Sequence, residues 1–159
     1  RGLRLDVVSC GAALCACEKH GLWRFSLGIL DGMRQLGPPP NVVTYNSAIS
    51  ACEKGEQWQG ALAVLGTMTS SRARATTAAA GGLEARTQPS SLAAPASTEV
   101  QACHIPTAVT YGALISACEK GNLWLRSLAL LHEMQWSGLQ PDIVSFGAAI
   151  SACEKGRQW

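Results

Sequence analysis

Residues Asn41–Trp58 read NVVTYNSAISACEKGEQW, and the pattern recurs, with substitutions, three more times along the chain. Its Ala-Cys-Glu-Lys core stands at Ala16–Lys19, Ala51–Lys54, Ala117–Lys120 and Ala152–Lys155, and each copy closes on a tryptophan: Trp23, Trp58, Trp124 and Trp159. The tryptophans are 35, 66 and 35 residues apart. A fixed period of this size signals a solenoid of stacked supersecondary units. Met33 to Thr44 and Met134 to Ser145 are both 11 residues, whereas Met68 to Thr110 is 42, so 31 extra residues lie after Met68.

Within the quoted copy, Tyr45, Ala48, Ile49 and Cys52 fall at i, i+3, i+4 and i+7, one apolar stripe of a helix over about Val42–Lys54. Gly55 is expected to end it as a C-terminal glycine. The residue ahead of each such helix is Asp6, Asn41, Thr107 or Asp142, all N-cap types, and Pro40, Pro106 and Pro141 keep the approach non-helical. Trp58, Leu62, Leu65 and Met68 mark a second amphipathic helix, matched by Trp23, Leu27, Leu30 and Met33 and by Trp124, Leu128, Leu131 and Met134. Each unit is therefore a helical hairpin with apolar surface to spare, and hairpins should stack.

This divides the chain into the tail of a preceding repeat (1–6), a repeat (7–41), the helices of a second (42–68), a low-complexity insertion (69–104), a third repeat with its lead-in (105–142) and a truncated fourth (143–159). The match of Gly2-Leu3 and Asp6-Val7 to Gly138-Leu139 and Asp142-Ile143 makes the chain read as a piece of a longer array, open at both ends. Residues 69–104 are rich in Ala, Ser, Thr, Pro, Gly and Arg, a composition too poor in large apolar groups to offset ordering entropy. A disordered loop is expected there in preference to a short degenerate repeat, because the apolar stripe is missing, with alanine permitting helical continuation through Arg72–Ala80 until Gly81-Gly82.

The net charge of +2 permits a polyanionic partner without demanding one. Cys17, Cys52, Cys118 and Cys153 share one slot per repeat, which reads as small buried apolar groups and not as disulfides or zinc ligands; the pattern suits a reducing compartment. No apolar run approaches the roughly 18 residues of a membrane span, and no signal-peptide pattern opens the sequence. No nucleophile–base arrangement, phosphate loop or deaminase signature is present, and His20, His104 and His132 occupy unrelated places in the repeat frame, as surface residues do. No catalytic, metal or cofactor site, and no small-molecule substrate, is expected.

The Val-Val-Thr-Tyr-Asn opening (Val42–Asn46), the Cys-x-Lys-x-Gly type of ending, the methionine near the end of the second helix and the Pro-Asp before the next unit (Pro141-Asp142) resemble the pentatricopeptide repeat family. Tetratricopeptide repeats, the nearest rival, have a period of about 34 and a W-x2-L-G opening that is absent. The resemblance implies an all-α, right-handed α-solenoid of stacked helix-turn-helix repeats that binds single-stranded RNA along its first helices, one base per repeat. It implies reading pairs Gly11 with Asn41, Asn46 with Thr107, and Gly112 with Asp142, with Gly147 opening a further pair. Glycine offers a base no side-chain hydrogen bond, so only Asn46 carries a reading group at the first position, and sequence-tolerant binding is expected. The glycines themselves admit two explanations, close approach by a ligand or neighbouring backbone, or drift.

The resemblance also makes Val8, Val43, Val109 and Val144 aliphatic base clamps, against an alternative of interhelix packing. Lys19, Lys54, Lys120 and Lys155 become phosphate contacts, against an alternative of solvated helix ends facing the C-terminal dipole. It implies a plastid or mitochondrial setting in RNA processing, stability, editing or translation. Two other functions stay open: a protein–protein interaction scaffold, and the RNA-binding part of a larger RNA-processing enzyme whose catalytic domain lies elsewhere.

Overall fold

The computed structural model describes residues 6–80 and 105–156, with the backbone alone described for Leu36 and residues 71–80. The described residues form seven helices and no strand: α1 (Val7–His20), α2 (Trp23–Leu36), α3 (Val42–Lys54), α4 (Trp58–Ala80), α5 (Ala108–Lys120), α6 (Trp124–Trp136) and α7 (Ile143–Lys155). None is long and apolar enough to cross a membrane.

Each first helix begins at a side-chain cap. The N–H groups of Ser9, Thr44, Thr110 and Ser145 donate to Asp6 (2.7 Å), Asn41 (2.9 Å), Thr107 (3.4 Å) and Asp142 (2.8 Å). Such caps contribute roughly 1 kcal/mol each. At α3 and α5 the box closes in both directions, because the Asn41 and Thr107 N–H groups donate back to Thr44 Oγ1 (2.9 Å) and Thr110 Oγ1 (3.0 Å).

Gly55 closes α3 as its C-cap, but without the left-handed conformation usual for a terminal glycine. It sits at φ −82°, as does Gly121, and Gly156 is at −75°; none is left-handed. The left-handed residue is the next one, Glu56 or Asn122 at φ 56°, in the slot that α1 fills with Gly21 at φ 63°. The glycine is required by packing instead. A Cβ on Gly55 would lie 2.5 Å from Cδ1 of Trp23, one on Gly121 2.5 Å from Trp58, and one on Gly156 2.5 Å from Trp124. The recurring Trp and the recurring Gly are thus two halves of one contact, made by each hairpin on the next.

The apolar stripes meet in one continuous core. Tyr45, Ala48, Ile49 and Cys52 of α3 are buried, as are Tyr111, Leu114, Ile115 and Cys118 of α5 and Met33, Met68 and Met134 of the second helices. Large apolar side chains buried this way contribute about 1.5–3 kcal/mol each. First helices pack in file, α1 on α3, α3 on α5, α5 on α7, while α2, α4 and α6 pack on their own first helix and on that of the next hairpin. The protein is an all-α solenoid.

The file crosses the insertion without a break in register, since α3 packs on α5 as α1 packs on α3. Helix α4 runs on to Ala80, the continuation that its alanines permit; the remainder of the insertion, with His104, lies outside the described residues. On α7, Ile150 is 68% exposed although its equivalents Ile49 and Ile115 are fully buried, because no second helix covers that face among the described residues.

Candidate nucleic-acid interface

Four slots of the first helix carry the residues singled out by sequence, and the file of first helices brings each set into register. In the second slot, Val8, Val43, Val109 and Val144 are 78%, 62%, 66% and 64% exposed. Interhelix packing therefore does not account for them; they form a row of apolar side chains in water, the opposite of what burial selects.

Gly11, Asn46, Gly112 and Gly147 occupy the fifth slot. A Cβ on Gly11 or Gly147 would meet nothing within 4 Å, and one on Gly112 would meet only Ser145 Oγ at 3.7 Å. No neighbouring backbone approaches closely enough to require glycine there. Asn46, half-buried, accepts a 2.7 Å hydrogen bond at Oδ1 from the hydroxyl of Thr110 in the next hairpin. Thr110 Oγ1 is in turn 3.1 Å from Thr107 Oγ1, so Asn46 and Thr107 converge on one hydroxyl although the insertion separates them in sequence.

Asn41, Thr107, Asp142 and Asp6 act as N-caps. Ser9, through its hydroxyl and N–H, holds the Asp6 carboxyl below its ordinary range, and the hydrogen bond from the Ser145 N–H does the same for Asp142.

The lysines do something that sequence reasoning missed. Lys54 pairs with Glu18 (3.6 Å), Lys120 with Glu53 (3.2 Å) and Lys155 with Glu119 (3.0 Å), each reaching back to the preceding first helix. Glu119 also accepts from Ser151 Oγ at 2.7 Å. Burial pushes the Glu119 carboxyl up, but Ser151 and the two nearby lysines outweigh it and hold it below the ordinary value. The signal was in the sequence, since Glu and Lys recur side by side in every copy. Exposed pairs of this kind contribute at most about 1 kcal/mol each, so their main effect is to neutralise the lysine row. Lys19 makes no such pair among the described residues.

The cysteine slot is structural: Cys17, Cys52 and Cys118 are buried and Cys153 half-buried. Burial pushes the Cys52 thiol up to about 11 and raises Cys118 as well, which disfavours the thiolate that nucleophiles and metal ligands need. No group of three metal-ligating side chains occurs among the described residues. His20 and His132 are exposed, the latter stacked on Trp136 at 6.1 Å between ring centroids.

The fold and the in-register rows define an α-solenoid repeat protein whose units are helical hairpins. A pentatricopeptide repeat domain model matches residues 1–54, and a PPR repeat model matches residues 43–72 and 109–139. The chain belongs to the pentatricopeptide repeat family. Among solved structures it is similar to the pentatricopeptide repeat protein PPR10 in complex with an 18-nt psaJ RNA element, and to a cysteine-to-serine variant of PPR10 in complex with the same element. In both cases the identity is 19%, the TM-score 0.37, and the match covers 98% of this chain and 28% of the other. The chain thus spans under a third of the length of those structures. No curated protein matches it significantly.

Proposed function

We infer that the file of first helices binds single-stranded RNA, with little selection among bases. The observation that carries this reading is the exposed valine row: Val8, Val43, Val109 and Val144 stand in water, one per first helix, beside a reading slot that is glycine in three of four copies. Apolar side chains at such a spacing suit the faces of unstacked bases, which every base possesses, so contact there is tolerant of sequence. Asn46 is the one fifth-slot residue with a hydrogen-bonding side chain. Membership in the family supports RNA as the partner and extends the proposal to an organellar setting, plastid or mitochondrion, in RNA processing, stability, editing or translation.

The ion pairs alter how binding should depend on salt. Three of the four lysines are already matched by glutamates, so phosphate contacts form only by breaking or sharing those pairs, and few counterions are released. The test is fluorescence anisotropy of an unstructured RNA with the 159-residue chain and with Val43→Gln/Val109→Gln. Binding should weaken at least tenfold in the double variant, with the helical circular dichroism unchanged and with a shallow salt dependence in both. Absence of binding by the parent chain at low salt, or indifference to the valines, would overturn the reading.

A further inference from the structure

We propose that the third residue of each first helix is the positioning group for the reading slot of the preceding repeat, with Thr110 orienting Asn46 and Ser145 standing ready for a side chain at position 112. The proposal rests on the RNA reading above and adds to it a residue outside the reading pair.

Thr110 is fully buried, and its hydroxyl has one proton. Its oxygen accepts from the Thr107 N–H at 3.0 Å, and its proton goes to Asn46 Oδ1 at 2.7 Å. With that proton spent, the 3.1 Å contact to Thr107 Oγ1 takes its proton from Thr107. One hydroxyl therefore fixes both side chains. Asn46 Oδ1 is committed as an acceptor, and the amide is left to offer its NH2 group, so a base meeting this slot must present an acceptor. A free asparagine could turn over and offer either end.

The other repeats are internal controls. Thr44 follows a glycine slot, Gly11, and spends its proton on the Asn41 carbonyl of its own cap at 2.8 Å. Ser145 follows Gly112; its hydroxyl is fully buried and without a partner, 3.7 Å from where a Cβ on residue 112 would sit. A buried hydroxyl lacking a partner is costly, and the missing acceptor lies where Asn46 supplies one in the preceding interface.

The experiment compares a panel of single-stranded RNAs differing at one base, bound to the parent chain, Thr110→Ser, Thr110→Val, Gly112→Asn and Gly112→Asn/Ser145→Ala. Thr110→Ser should keep the base preference that Asn46 gives. Thr110→Val should reduce it about fivefold, the scale of one hydrogen bond, while affinity for RNA lacking the preferred base stays within twofold. Gly112→Asn should create a second preferred position, and adding Ser145→Ala should abolish it although the asparagine remains.

Unchanged preference in Thr110→Val, or a Gly112→Asn preference indifferent to Ser145, would overturn the proposal. The unfolding midpoint separates this failure from failure of the RNA reading. If the parent binds no RNA, the RNA reading falls, and a rise in midpoint in Gly112→Asn that Ser145→Ala removes still establishes the contact. No such rise would sink the contact as well.

Discussion

The interface between α3 and α5 spans the insertion, and the interface between α5 and α7 does not, yet the interrupted one is the better satisfied. Both have the Trp–Gly contact, through Trp58 with Gly121 and Trp124 with Gly156, and both have a Lys–Glu pair. Across the insertion, Asn46 takes the Thr110 proton; across the uninterrupted step, Gly112 leaves the Ser145 hydroxyl unpartnered. Chain length between repeats therefore matters less than one residue type at one slot. The physical reason is that loop closure costs only about 0.6 kcal/mol per doubling of length, less than a buried hydroxyl left without a partner.

The largest expected effect tests the shared part of the two interfaces. Gly121→Ala drives a Cβ against Trp58 and should cost about 2 kcal/mol in urea unfolding, whereas Gly112→Ala, with only Ser145 Oγ nearby at 3.7 Å, should gain up to about 1 kcal/mol from helix propensity. Equal effects at the two glycines would break the distinction between a packing glycine and an open slot. Deleting residues 72–102, which restores the uninterrupted spacing, should stabilise by about 1 kcal/mol from loop entropy. A loss of stability would mean that the insertion supports the α3–α5 interface.

Smaller effects lie within the hairpins. Ser127 is buried with an unpartnered hydroxyl where the preceding hairpin has Ala61, so Ser127→Ala should stabilise by about 1 kcal/mol in the same unfolding assay. Glu56 holds a left-handed conformation that α1 assigns to Gly21, and Glu56→Gly should likewise gain about 1 kcal/mol. The two interfaces should also part on acidification. Asp142 has a folded-state pKa below its unfolded value, so its stabilisation is complete above the unfolded value near 3.8 and is lost as pH falls through the folded one. The caps of α3 and α5, Asn41 and Thr107, carry no charge. Hydrogen exchange between pH 5 and 2.5 should show α7 opening ahead of α3 and α5.

The hairpins, caps and stripes were legible because each depends on residues within a helical turn or two. Tyr45, Ala48, Ile49 and Cys52 declare a buried face by spacing alone, and Asn41 declares a cap by its chemistry. Contacts between repeats were not legible in the same way. Gly55 reads as a helix terminator and does close α3 as its C-cap, but only the neighbouring Trp23 ring shows why the position is glycine. Val43 lies on a helix flanked by others on several sides, so periodicity could not separate a packed valine from an exposed one. The Asn46–Thr110 bond joins residues 64 apart, across an insertion that conceals the register.

The file of first helices is thus a tolerant RNA surface with one selective position, Asn46. The direct measurement is the affinity of the 159-residue chain for a set of single-stranded RNAs in which each base is varied in turn, with Asn46→Ala as the control. The expected result is a flat profile at every position but one, and loss of that one preference in Asn46→Ala with overall affinity largely kept. Preferences at several positions, or one that survives Asn46→Ala, would contradict it.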